Sequence, residues 1–202
     1  MPEKFNEKLP KELQTSFYLD NPKKIFVLSM LSCGFYYPLW FYRHWRHFKR
    51  RAIAMEKNPE LNLNVFEKDK DIRPFWSAFF SGFYIVGTAR RIRDKMKSSG
   101  LSNYATGPWW AWYFFSINSS ANRYEPSADI NLNIIFYLIE VFLMAIATWQ
   151  ITRLQIKANE YIAASHEYEK HVEINYNKWD IVVTIIGFIF GILVFIGSVY
   201  VQ

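Results

Sequence analysis

One acidic side chain inside a long apolar run is the residue of this sequence best suited to chemistry. Glu140 lies about 15 Å along a helix from the start of the run 130–151, so it would sit near the middle of a bilayer. A carboxyl group at that depth is costly and stays protonated unless a cation or water accompanies it, which makes it a candidate proton or cation site. Asn133 lies two helical turns earlier on the same face. Glu140 and Asn133 therefore form a candidate intramembrane polar site.

A structural role for Glu140 is the alternative, and it stays open. The carboxyl group would then share a hydrogen bond with a hydroxyl group of a neighbouring helix. Because no second intramembrane charge accompanies Glu140, a transport pathway through it would be poorly equipped, which favours the structural interpretation. The hydroxyl groups considered for such a bond are those of Ser29, Ser32, Tyr36, Ser77 and Thr184.

Two histidines on a basic helix are the next candidates. His44 and His47 are close enough along a helix to touch one ligand. A metal site needs further ligands, yet no Cys, Asp or Glu lies within a turn, and the neighbouring arginines would repel a cation. We predict that both rings pack at the membrane interface and that the chain binds no metal. His166 and His171 do not share a helical face.

The sequence contains no motif of a familiar catalytic machinery. It lacks a nucleophile elbow, a phosphate-binding loop, an HExxH zinc motif and a kinase-like element. Its single cysteine excludes an internal disulfide and a cysteine-based metal cluster. We therefore predict that the protein is not an enzyme, and that it has no catalytic residues and no cofactor.

Small residues in the apolar segments predict close contacts between helices. Gly187 and Gly191 form a GxxxG pattern in the last segment, Ala78 and Gly82 provide a second small face, and Gly34 lies in a small-residue stretch of the first segment. Whether these faces meet another helix of the same chain or a second protein stays open.

The distribution of apolar residues predicts the fold class. Of the 202 residues, 51% are hydrophobic and 19% aromatic, and they are segregated into runs separated by charged segments. This pattern is typical of helical membrane proteins. We predict an all-α, polytopic helical membrane protein with three or four transmembrane helices. The apolar segments are 25–42, 74–89, 130–151 and 181–201.

Three segments determine the number of crossings and the shape of the domain. The run 25–42 would extend about 27 Å as a helix, just enough to cross a core of about 30 Å, and an amphipathic stripe continues it to about Lys57. The run 74–89 is short, so crossing, half-crossing and interfacial positions all stay open. Residues 107–118 are rich in tryptophan and predict an interfacial or re-entrant aromatic helix. A second long amphipathic extension follows the run 130–151.

The domain organisation follows from these segments. Residues 1–19 carry alternating charges and too little apolar area to fold alone, which predicts a polar N-terminal tail near the surface. Residues 20–202 are predicted to form a single helical membrane domain. Its first helix can be capped by Asp20 or Asn21, with Pro22 at the first helical position.

Basic residues after the first two apolar runs predict contact with anionic lipid headgroups. The net charge is +6, and no separate soluble domain carries a basic face, which disfavours nucleic acid as a partner. With four simple crossings, the Lys and Arg residues divide almost equally between the two sides and leave the orientation undecided. If the run 74–89 only enters the membrane part-way, residues 43–129 share one side, and their charge predicts that this side is cytoplasmic. The residues expected at the headgroups are Arg43, Arg46, Lys49, Arg50, Arg51, Arg90, Arg91 and Arg93.

Four stretches together resemble a family of small bacterial multi-pass inner-membrane proteins of unknown function. They are FYLDNPKKIFVLSMLSCGFYYPLWFYRHWRHFK, IRPFWSAFFSGFYIVGTARRI, TWQITRLQIKANEY and KWDIVVTIIGFIFG. The similarity covers nearly the whole chain after residue 16. It implies a bacterial inner-membrane location, and it carries no catalytic residue over to this chain.

Two functional hypotheses follow. The first is a non-enzymatic accessory or assembly subunit that contacts other membrane proteins or anionic lipid. A homo-oligomer is the alternative to a different membrane protein as the partner. The second is a small transporter or channel that uses Glu140 as a proton or cation site.

Overall fold

The computed structural model describes residue 10 and residues 13–59, 67–101, 130–165 and 175–200. All regular secondary structure in these residues is helical, which confirms the predicted all-α class. The helices are α1 (Pro22–Leu31), α2 (Tyr36–Lys57), α3 (Pro74–Phe79), α4 (Ser81–Ser98), α5 (Ile130–Ala164) and α6 (Lys178–Tyr200), with a short 3₁₀ helix at Glu67–Asp71. The aromatic segment 107–118, His166 and His171 lie outside the described residues.

The first apolar run is a helical hairpin. Helix α1 begins after Asn21, whose side chain caps the backbone N–H groups of Lys23 and Lys24, and it ends at a turn in which Cys33 (φ 48°) and Gly34 (φ 86°) are left-handed. The prediction of one continuous helix from 25 to about 57 is therefore wrong. A left-handed pair stops an α-helix, and glycine adopts this conformation without steric cost.

Helix α2 starts directly after this turn. The Ser32 hydroxyl group accepts a hydrogen bond from the Tyr36 N–H at 2.9 Å, which satisfies one free donor of the new helix. Pro38 lies in the first turn of α2, where a missing backbone N–H costs no intrahelical bond. Pro38 thus helps to begin α2.

Ion pairs show that α1 and α2 fold back beside each other. Lys24 in α1 and Arg43 in α2 both contact the carboxylate of Asp180, at the start of α6. On one straight helix residues 24 and 43 would lie about 28 Å apart. At the opposite end of the hairpin, the Phe35 ring lies 5.1 Å from the Phe190 ring of α6. The tip of the hairpin therefore reaches about halfway along α6.

The second apolar run is also divided. Helices α3 and α4 meet at Phe80, whose backbone (φ −93°, ψ 37°) departs from helical values. The carbonyl oxygen of Ile72, just before α3, accepts a hydrogen bond from Lys49 at 2.9 Å, while the Tyr84 ring on α4 lies 5.4 Å from Trp45. Both sides of the break thus contact the same part of α2, and the run 74–89 does not form one continuous helix.

Two described helices are long and apolar enough to cross a membrane, by length and composition. They are α5 and, within α6, Lys178–Gly197. They pack antiparallel. Near the start of α5, the Tyr137 ring lies 4.9 Å from Phe195, which is late in α6. Near the end of α5, Asn159 donates a hydrogen bond to the carbonyl oxygen of Asp20, which lies beside the start of α6. The third and fourth crossings expected from 25–42 and 74–89 do not appear as helices of this kind.

The buried core lies at the end of the molecule where α6 begins. Residues 13–19, expected to be a polar tail, contribute to it, because Phe17 is 2% exposed and packs edge-on against Phe48 and Tyr161. The apolar area of this segment is too small to fold alone but sufficient to pack against a preformed helix surface. Other core side chains include Trp40, Phe41, Ile85, Ile92, Met96, Ile151, Leu154 and Ile162.

Candidate functional site

Four charged side chains meet in the interior at the start of α6. We call Asp20, Lys24, Arg43 and Asp180 the charge cluster. Their side chains are between 0% and 9% exposed. Each lies at the end of an apolar segment, so the hairpin and the antiparallel packing of α5 and α6 bring them to one place. The cluster contains two positive and two negative groups, and it is neutral as a whole.

The ion pairs join all four members. Arg43 Nη2 lies 2.6 Å from Asp180 Oδ1, and Lys24 Nζ lies 3.5 Å from Asp180 Oδ2. Lys24 also contacts Asp20, and Arg43 Nη1 lies 3.7 Å from Asp20 Oδ2. Each cation therefore faces both carboxylates. Buried charges are tolerated when they are paired in this way, and removing one partner is strongly destabilising.

Hydrogen bonds complete the surroundings of Asp180. The Tyr36 hydroxyl group donates to Asp180 Oδ1 at 3.0 Å and accepts from Arg43 Nη1 at 3.1 Å. The Asn177 N–H donates to Asp180 Oδ2 at 3.0 Å, while the Asn177 side chain accepts from the Trp179 and Asp180 N–H groups. This reciprocal arrangement is a capping box, so Asp180 both begins α6 and holds the hairpin.

Asp20 lies in a less favourable environment. Burial raises the pKa of its carboxyl group, and this effect outweighs the opposite effects of Lys24 and Arg43. The Asn21 N–H donates to Asp20 Oδ1 at 2.9 Å. Because its four charges compensate one another inside the protein, the charge cluster can act as a latch, that is, as a set of ion pairs that holds separate segments together.

A neutral polar network continues from the cluster into α5. Gln155 Oε1 accepts hydrogen bonds from Trp40 Nε1 and His44 Nε2, both at 2.9 Å. Gln155 Nε2 donates to the Tyr18 carbonyl oxygen and to Asn159 Oδ1, and Asn159 donates to the Asp20 carbonyl oxygen. One amide side chain on α5 thus fixes both α2 and the segment that precedes α1.

The two histidines of α2 are packed inside this end of the protein. His44 is 0% exposed, and His47 Nε2 donates to the Thr15 carbonyl oxygen at 2.9 Å. Burial lowers the pKa of His44 to about 4 and that of His47 to about 3, so both rings are neutral at pH 7. Within the part of the chain that the structure describes, no group of three or more His, Cys, Asp or Glu side chains is arranged to hold a metal ion.

The structure places Glu140 away from the charge cluster. Its side chain is half-buried on the apolar part of α5, while Asn133 is 2% exposed. Four of the five hydroxyl groups considered as partners of Glu140 form other bonds. Tyr36 donates to Asp180, and Thr184, Ser32 and Ser77 donate to the carbonyl oxygens of Asp180, Ser29 and Arg73.

The small residues have distinct roles. A Cβ atom added to Gly187 would lie 2.8 Å from Ser32 Cα, and one added to Gly191 would collide with Cys33 Sγ. The GxxxG face therefore meets the hairpin tip within the same chain. Ala78 is buried and Gly82 half-buried, whereas Gly34 serves the turn itself, which corrects its predicted role in helix packing. In the sequence, Gly34 follows Ser32 and Cys33. Such a run of small residues is compatible with a turn as well as with close helix packing.

Three of the expected headgroup residues lie inside the protein. Arg43 belongs to the charge cluster, Arg51 donates to the Thr15 carbonyl oxygen, and Arg91 donates two 2.6 Å hydrogen bonds to Asp69. The Arg91 guanidinium group also stacks on the rings of Trp45 and Phe48. Arginine suits such places because its planar group pairs and stacks at once. Arg46, Arg50 and Arg90 are exposed, and Lys49 and Arg93 are half-exposed.

Comparison with known proteins does not indicate a function. No protein-family model, curated protein or solved structure matches this chain. The bacterial inner-membrane location therefore depends on the resemblance described above.

Proposed function

We propose that this is a non-enzymatic, multi-pass membrane protein that serves as an accessory or assembly subunit, contacting other membrane proteins and anionic lipid. The observation that carries the proposal is the large apolar surface of α6. Between Trp179 and Ile196 its exposed large apolar side chains are 39–61% accessible. The charged start of the same helix is held to the rest of the chain by the charge cluster. Surfaces of this extent mark contact with lipid or with another membrane protein. The exposed residues of α6 include Ile181, Ile185, Phe188, Ile189 and Leu193.

In the proposed arrangement, the α1–α2 hairpin is re-entrant, which means that it enters and leaves the membrane on the same side. Its tip meets Gly187 and Gly191, which lie about 10–16 Å along α6 from Asp180, roughly half of a 30 Å hydrocarbon core. Val27, Leu31 and Phe35 are exposed on the outside of the hairpin and would face lipid. Non-helical backbone at such depth is tolerated where protein covers it, and α6 covers this turn.

The accessory role is supported by how the polar residues are used. The charge cluster, Gln155 and the two histidines of α2 all hold one segment of the chain to another. Their partners are internal, which is the pattern of a scaffold whose outer surface makes the functional contacts. The bacterial inner membrane is the location that the resemblance implies.

Native mass spectrometry of the protein, extracted from its own membrane in a mild detergent, tests this function. We expect a stoichiometric foreign subunit to remain bound. Asp180→Asn should reduce recovery of the complex, because it weakens the latch. The control, Asp94→Asn, removes an exposed ion pair and should leave the recovery unchanged. A protein recovered alone or only as a homo-oligomer, from membranes in which it is naturally expressed, would contradict the accessory role.

A transporter or channel that uses Glu140 is the second candidate. The observation in its favour is a half-buried carboxyl group on the apolar part of α5, remote from the charge cluster. Proton or cation flux into proteoliposomes should then be lost in Glu140→Gln and kept in Glu160→Gln, whose carboxylate forms an exposed ion pair with Lys157. Equal flux in the two variants would exclude Glu140 as the transport site.

A further inference from the structure

Helices α3 and α4 present a cluster of exposed aromatic rings. We call the side chains of Phe75, Trp76, Phe79, Phe80 and Phe83 the aromatic elbow. Phe83 is 77% exposed, Phe79 66%, Phe75 64%, Trp76 50% and Phe80 45%. Five large aromatic side chains exposed side by side form an apolar patch that a monomeric soluble protein rarely leaves uncovered. The elbow therefore needs an apolar or amphipathic partner.

The elbow is held in a fixed shape. The Trp76 and Phe80 rings stack at 6.2 Å, the Phe79 and Phe80 rings meet edge-on at 5.1 Å, and Phe75 meets Trp76 at 5.6 Å. The opposite face of α4 is anchored in the core by buried side chains. They are Ile85, Ala89, Ile92 and Met96. Because that face is fixed, the outward face of α4 is defined, and binding through it needs little reorganisation.

Basic side chains follow the aromatic rings on the same face of α4. Phe83, Arg90 and Lys97 recur every seven residues, so they form one stripe along the helix. Arg90 and Lys97 are exposed, and Arg90 lies about 10 Å along the helix from Phe83. With the start of α4 directed into the membrane, Phe83 would lie about 10 Å deeper than Arg90. The aromatic rings would then reach the acyl chains, while Arg90 and Lys97 would remain at the level of the phosphates or above it.

The distribution of charge indicates which leaflet is involved. In the described residues, α5 before Arg153 and α6 after Lys178 contain no Lys or Arg. All described basic residues therefore lie on the side of the charge cluster, including those of α4, which is tied to α2 by the Arg91 stack on Trp45. An excess of Lys and Arg marks the cytoplasmic side, where the leaflet carries anionic lipid.

We propose that the aromatic elbow, together with Arg90 and Lys97, is a binding surface for anionic phospholipid of the cytoplasmic leaflet. The rings of Phe79 and Phe83 insert between acyl chains, and the two cations contact the phosphate groups. This inference rests on the membrane location and the anionic-lipid contact in the proposed function, and it adds the residues that form the surface and the leaflet that they face.

Titration of phosphatidylglycerol into the full-length protein in a neutral detergent, read by native mass spectrometry, tests the cationic part. Arg90→Gln/Lys97→Gln should bind phosphatidylglycerol roughly thirtyfold more weakly, about fivefold for each charge removed. The matched control, Lys57→Gln/Lys68→Gln, removes two exposed charges elsewhere and should change binding less than twofold or so. Equal losses in the two double variants would overturn the proposed surface.

A depth measurement tests the aromatic part. In a Cys33→Ser background, Phe83→Cys carries an environment-sensitive fluorophore in nanodiscs, and its emission should be blue-shifted by phosphatidylglycerol relative to phosphatidylcholine alone. Water-like emission in both lipids would overturn the proposal. If the membrane location itself were wrong, the unsubstituted protein would leave vesicles on alkaline carbonate washing. If only the elbow proposal were wrong, the protein would stay in the vesicles while the probe reported water.

Discussion

At the scale of single residues, the molecule depends on charges placed at the ends of apolar segments. Glu140 is the acid inside an apolar run, whereas the structure gives the larger role to Asp180, which lies at the edge of one. In the sequence, Asp180 directly precedes the apolar run 181–201, and Lys24 and Arg43 flank the run 25–42. To predict these ion pairs, one must know that the hairpin brings residues 24 and 43 to the same end of the molecule. Their separation in the sequence does not show this.

Asp180→Asn should destabilise the protein by about 3 kcal/mol or more, because it leaves Lys24 and Arg43 to share the single carboxylate of Asp20. Thermal unfolding in detergent, followed by the loss of monodisperse protein, measures this change. Asp94→Asn is the control, since its exposed pair with Arg93 contributes at most about 1 kcal/mol. Similar melting temperatures for the two variants would contradict the latch.

The buried histidines predict a loss of stability in acid. In the unfolded chain their pKa is about 6.5, whereas burial lowers it to about 4 for His44 and about 3 for His47. The unfolded state therefore binds more protons below pH 6.5, and stability should fall as the pH drops from 6.5 towards 4, by up to about 1.4 kcal/mol per pH unit for each ring. Above pH 6.5 the two rings contribute no pH dependence.

Unfolding free energies of the wild type and of His44→Gln/His47→Gln, measured between pH 8 and pH 5, check this expectation. The double variant should show a flatter profile below pH 6.5. Asp20, whose pKa burial raises, acts in the opposite direction, and both proteins retain it. Parallel profiles for the two proteins would mean that the histidines are accessible to protons in the folded state.

At the scale of secondary structure elements, the hairpin shows the limit of counting apolar residues. The run 25–42 has the length of a crossing, but length cannot distinguish one helix from two antiparallel halves. The decisive features are local, namely the left-handed backbone of Cys33 and Gly34 and the small face of α6. The apolar runs 130–151 and 181–201 did predict helices, and the structure forms α5 and α6 there.

Gly187→Ala should therefore destabilise the hairpin by about 1–3 kcal/mol, since the added methyl group would press on the backbone of Ser32. Gly197→Ala is the matched control on the same helix, because nothing lies within 4 Å of its added carbon. Helix propensity alone favours alanine at both positions. Thermal unfolding in detergent should rank Gly187→Ala below the wild type and Gly197→Ala at or above it, and the reverse order would contradict the contact.

At the scale of the whole molecule, the fold combines two candidate crossings with a folded end that gathers the hairpin, α3, α4 and the extension of α5. The all-helical class and the segregation of charge could be predicted from the sequence. The number of crossings could not, because it depends on whether apolar runs turn back, and that is set by contacts between distant segments. With the hairpin turned back, the described basic residues lie at the end of the molecule that contains the charge cluster, and we propose that this end faces the cytoplasm.

We propose that the α1–α2 hairpin enters and leaves the membrane on the same side. Lys23 and Lys57, both exposed, lie at the start and at the end of the hairpin, and each can be replaced by cysteine in a Cys33→Ser background. Labelling of sealed inside-out and right-side-out vesicles with a membrane-impermeant maleimide measures their sides. We predict that both cysteines react only in inside-out vesicles, where the cytoplasmic face is exposed. Reaction of Lys23→Cys and Lys57→Cys from opposite sides would establish a single crossing and contradict the hairpin.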